Sequence, residues 1–148
     1  MAHWQDGEAT LRIGGHPMAT PPEASPQIPP EIPLEIPLEI PLEIPLEIAS
    51  SYRARTCGLL GRDGIAGAML LTPAAGVHTF RMRFAIDVAH LDRNLDVIAL
   101  TTMAPGRLGL PRLRSRHVLE AEAGAMARWG LRVGTRVNVD VPGRLARG

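Results

Sequence analysis

Residues 78–92 read HTFRMRFAIDVAHLD, and here charge alternates with apolar side chains. Arg81, Arg83 and Asp87 sit among Phe80, Met82, Phe84, Ile86 and Val88. Charge in such a setting is costly unless it is paired or used. Phe80, Met82 and Phe84 share one parity and Arg81 and Arg83 the other. An extended strand would therefore show an apolar face and a basic one. An arginine at the mouth of a pocket suits an anion, because its fork matches carboxylate or phosphate. Asp87 precedes an apolar run, and Glu120 lies between Leu119 and Ala121. If the fold brought these two carboxyls together, they could share acid/base work or hold a cation.

Other residue sets offer less. His78, His90 and His117 lack any short metal-ligand spacing, and the single cysteine, Cys57, excludes a thiolate cluster. No metal and no cofactor are expected. Cys57 reads as a core or half-buried thiol on a short helix. Arg107, Arg112, Arg114 and Arg116 make one loop strongly basic. That loop lacks the aromatic platforms or recognition helix of nucleic-acid readers, so nucleic acid is not an expected partner. The glycines at 61, 64 and 67 lack the Lys-Ser/Thr ending of a phosphate loop.

The elements that must position these residues begin late in the chain. Of 148 residues, the first 48 hold eight acids and one base, and the remainder hold fifteen arginines and seven acids. The basic residues are all arginine, with no lysine. The pattern suggests an acidic tail beside a basic domain, and a basic domain can attract nucleic acid or phosphorylated ligands. Residues 1–28 show no sustained period and read as a disordered tail. Residues 29–45 carry a tandem PLEI repeat with prolines at 29, 33, 37, 41 and 45. Proline removes a backbone donor and disfavours helix before it, so this segment reads as an extended linker. Residues 46–148 form the compact domain.

Within that domain short strands are expected at 46–49, 67–71, 78–83, 87–91, 95–103, 117–121 and 136–141. Two short helices are expected at 52–60 and 123–129, and Asp92-Arg93-Asn94 supplies a hairpin turn. The fold class is α+β, a small, mainly antiparallel sheet curled towards a barrel. No stretch reaches the length of a membrane span, and the N-terminus has no signal-peptide pattern. The expectation is a soluble, cytoplasmic protein with no membrane partner.

Four blocks in order resemble the domain of unknown function 192 family of small bacterial and archaeal proteins. They are Ala54–Arg62 (ARTCGLLGR), Gly67–Leu71 (GAMLL), Phe80-x-Met82 leading to Ile86-Asp87-Val88 and Leu91-Asp92, and Val118-Leu119-Glu120 with Ala123-Gly124 and Gly130 to Val137. Arg81, Phe84 and Thr135 depart from the residues common in the family. The resemblance implies a compact β-rich fold and no accepted reaction. The leading expectation is a binding module with a polar pocket for a small anionic ligand, drawn from Arg62, Arg81, Met82, Arg83, Asp87 and Glu120. The alternatives are a hydrolase using Asp87 and Glu120, and an arginine-mediated binder of nucleic acid or phosphate.

Overall fold

The computed structural model describes residues 3–14 and 40–143. Its elements are β1 (Gly7–Ile13), β2 (Leu42–Ala49), α1 (Tyr52–Cys57), β3 (Ala68–Leu71), β4 (Ile86–Leu91), β5 (Val97–Met103), β6 (His117–Glu122), α2 (Ala125–Arg128) and β7 (Val137–Asp140). The strands form one sheet in the order β5-β4-β6-β3-β2-β1-β7. Every pairing is antiparallel except β2 with β3. The sheet curls until its two ends meet. Val97 N–H donates to Thr135 O at 2.8 Å, Gly134 N–H to Val97 O at 2.7 Å, and Arg136 pairs with Asp96. The result is the expected α+β half-barrel with two short helices.

Alternation along the strands divides the apolar side chains between two cores. One fills the concave side and includes Leu11, Ile44, Leu46, Ile48, Leu70, Ala89, Leu91, Leu119 and Ala121, closed at one end by Met126 and Leu131. The other, on the convex side, joins Met69, Ile86, Val88, Met103 and Val118 to Leu59 and Met82 from the covering loops. With so few aromatics, aliphatic chains and methionine fill both cores.

Three expectations need correction. First, part of the segment read as a disordered tail is a central strand. Gly7–Ile13 reads GEATLRI and buries Ala9, Leu11 and Ile13 between β2 and β7. Asp6 just ahead of it accepts N–H bonds from Ser50 and Ser51 at 2.6 and 2.8 Å, tying β1 to the start of α1. The Ser51 side chain foremost, and then these two amides, lower the pKa of the Asp6 carboxyl to about 2. Second, the last PLEI copies enter β2 despite Pro45. β3 pairs with β2 only from Leu46 onward, so up to Pro45 the strand has one ladder to satisfy. A proline whose missing N–H faces no partner is tolerated there. Residues 15–39, which hold the rest of the expected tail and linker, lie outside the described residues.

Third, residues 78–83 are not a strand. His78 makes one bridge to Leu108, and a turn follows in which Arg81 has φ 60°. That left-handed residue breaks the alternation, so no face of arginines forms. The remaining strands and the β4–β5 hairpin lie where the sequence places them, within a few residues.

Candidate functional site

The two buried carboxyls do different things because they leave opposite faces of the sheet. In the β4–β6 ladder Val88 stands opposite Glu120, and Asp87 opposite Ala121. Paired residues share a face, so Asp87 points to the concave side and Glu120 to the convex side. The carboxylate pair expected for a hydrolase does not form.

Asp87 is fully engaged. One oxygen accepts from Thr102 Oγ1 at 2.6 Å, and the other from the Gly124 and Met126 amides at 2.9 and 3.1 Å. The N-cap of α2, Gly124, has no side chain to offer, so Asp87 satisfies the free amides of that helix from a neighbouring strand. It is a fastener for the helix that closes the barrel end.

Glu120 is the opposite case. Only 4% of it is exposed, and no hydrogen bond or ion pair from the described residues reaches its carboxyl. Burial alone raises its pKa from 4.5 to about 7. Glu120 lines a cavity of about 90 Å³ whose other walls come from distant segments. Arg55, Thr56, Cys57 and Gly58 close it from the end of α1, Gly76, Val77 and His78 from the loop after β3, and Met82 from the turn. Arg55 donates through Nη1 to Pro73 O at 2.9 Å, while its buried Nε has no partner. One small cavity is thus bordered by a lone acid and by an arginine with a spare donor.

The six residues expected to build a pocket therefore separate. Met82 and Glu120 meet at this cavity. Asp87 is on the other face. Arg62 binds Glu47 through two 2.8 Å bonds, and that bonding holds the Glu47 carboxyl below its usual range. Met69 stands between Glu47 and Glu120 in the cross-sheet row. Arg83 pairs with Asp63 on the surface, and Arg81 is exposed on the turn. Cys57, expected as a core or half-buried thiol, is exposed, since α1 buries none of its residues. Nothing in the sequence marked Arg55, Gly58 and Val77 as lining one cavity, because that cavity exists only where three separated segments converge.

The histidines are not gathered. His78 stacks on Phe80 with ring centroids 5.1 Å apart. His90 Nδ1 lies 3.1 Å from Ser115 Oγ, and His117 Nδ1 lies 2.7 Å from Thr72 Oγ1. Burial, foremost, lowers the pKa of both buried rings. Among the described residues no group of three or more His, Cys, Asp or Glu could hold a metal ion. None of the helices among them is long and apolar enough to cross a membrane.

Comparison with known proteins agrees with this architecture. A UPF0127 protein of Pyrococcus horikoshii is 33% identical over 82 residues, covering 52% of this chain and 71% of that protein. A crystal structure of a protein of unknown function from Novosphingobium aromaticivorans superposes with a TM-score of 0.60 at 20% identity, over 66% of this chain and 76% of its own. One from Sinorhizobium meliloti 1021, provisionally termed a transcription regulator, reaches 0.66 at 14% identity, over 93% of this chain and 98% of its own. At such identities these two show the fold alone. The profile of DUF192, described as Uncharacterized ACR, matches residues 35–139. The chain belongs to the DUF192 family.

Proposed function

We propose that this domain is a binding module and that Glu120 receives the carboxylate end of a small anionic ligand. One observation carries the reading: a carboxyl on a residue only 4% exposed, without a partner among the described residues, on the wall of a cavity. A carboxyl held away from most of its water, with no donor from the described residues, carries a free-energy cost, so a fold that keeps one needs a use for it. The space, about 90 Å³, suits an end group or roughly three waters rather than a whole metabolite.

Burial raises the Glu120 pKa to about 7, so it holds its proton much closer to neutral pH than an exposed glutamate does. A protonated Glu120 donates to a carboxylate through a short, charge-assisted bond. The arginine excess of residues 49–148 draws such an anion toward the domain.

Acetate and propionate titrated into the protein and followed by amide NMR test the reading. The expected result is shifts confined to Gly58, Val77 and Glu120, with binding at least several-fold tighter at pH 6 than at pH 8. Absence of a localised shift overturns it. So does preferential binding of methylammonium, which would mean that the pocket serves a cationic group through an ionised Glu120.

A further inference from the structure

We propose that the loop between β5 and β6 docks on an anionic lipid surface. Residues 104–116 hold four arginines, three leucines and no acid. Leu108, Leu110 and Leu113 are 73%, 75% and 99% exposed. None of Arg107, Arg112, Arg114 and Arg116 has an ion pair with the described residues.

The leucines are held outward by construction. Thr79 and Gly109 N–H groups donate to Arg107 O and Val77 O at 2.8 Å each, and Arg112 N–H to Ala75 O at 3.0 Å. These bonds fix the loop to the segment 75–79. Between Leu108 and Leu110 the chain turns Gly109 inward, where an added Cβ would stand 2.9 Å from Val77 Cγ1. A glycine thus takes the inward position, and the two leucines beside it stay in solvent. Ser115 is buried at the loop's base, with its hydroxyl 3.0 Å from Ala74 O.

Projecting leucines interleaved with arginines match the interface of a bilayer. The apolar tips enter the acyl boundary while the guanidiniums meet lipid phosphates. A free phosphate would leave the leucines unused, and a nucleic acid would call for aromatic platforms rather than aliphatic tips. The expectation of no membrane partner came from the lack of a span, which does not bear on peripheral docking. The same segment, Val77–His78, anchors this loop and lines the Glu120 cavity, so the two features share a wall. The inference does not depend on that pocket.

Co-sedimentation of the full chain with vesicles tests it. One set is phosphatidylcholine alone, and the other is one-third phosphatidylglycerol. The expected result is at least tenfold greater partition onto the anionic vesicles, falling steeply as salt is raised through the screening range. Leu110→Ser with Leu113→Ser should lower it at least several-fold with the far-UV spectrum unchanged, and so should Arg112→Gln with Arg114→Gln. Glu120→Gln should leave it intact, so failure of the pocket reading is read separately. Equal binding to neutral vesicles, no binding to either, or full binding by the leucine variant each overturns the proposal. Equal capture by polyglutamate, with the leucine variant unaffected, would assign the loop to an acidic protein instead.

Discussion

Asp87 and Glu120 sit one register step apart on adjacent strands and leave the sheet on opposite faces. That step gives Asp87 three hydrogen-bond donors and Glu120 none from the described residues. One carboxyl holds the fold together, and the other is left for something outside it.

Asp87→Ala should destabilise the domain by about 2–4 kcal/mol, because two helix amides and a hydroxyl lose their acceptor together. Urea unfolding of the variant beside the parent measures it. A change below about 0.5 kcal/mol would mean that Asp87 does not fasten α2. Titration of the Glu120 pocket should be the same in both proteins if they stay folded.

Glu120 makes stability fall as pH rises. Its folded pKa of about 7 lies above the ordinary 4.5, so the folded state holds the proton that the unfolded chain has already released. The stability is fully present below pH 4.5 and is lost as pH climbs through 7, by about 3 kcal/mol in total. His90 and His117 pull the other way. Their lowered pKa values cost stability as pH falls below 6.5. The clean measurement is therefore the difference between Glu120→Gln and the parent from pH 5 to 8.5, in which the histidine contributions cancel. The variant should gain on the parent from pH 5 to about 7 and level off above it, and a flat difference across the whole range would contradict burial as the cause.

Leu11→Ala should cost about 3 kcal/mol, as expected for a leucine lost from a core. Leu11 is wholly buried in the middle of β1. A free tail would show no change, so thermal or urea unfolding of this single variant decides whether residues 7–13 belong to the sheet.

Gly67→Ala should cost at least about 2–3 kcal/mol. Gly67 has φ +94° at the entry to β3, and a Cβ there would run into the Pro45 carbonyl of β2. Both the backbone conformation and the close approach require glycine. Gly134→Ala also has positive φ but meets no atom within 4 Å, so it should cost less. Equal losses in the two variants would remove the steric argument.

Much of the fold was legible before any coordinates. The strand 95–103 and its hairpin with 87–91 follow from apolar runs flanking Asp92-Arg93-Asn94, and these are local signals. β1 was legible in principle, since GEATLRI alternates cleanly, but the glycine- and proline-rich surroundings hid it. Pro45 masks β2 in the sequence, yet proline excludes a strand only where its N–H is needed. The turn at Arg81 also defeated the pattern, because alternating side chains describe a strand only if the backbone stays extended.

The sequence alone determined the secondary elements with local signatures, the surplus of arginine and the presence of two acids amid apolar runs. Tertiary structure decided which acid is satisfied. A side chain's face depends on which residue stands opposite it, and ladder register is a property of strands brought together from across the chain. The cavity beside Glu120 has the same origin. Its walls come from segments 55–60, 71–82 and 120, and nothing local to any one of them specifies that they meet.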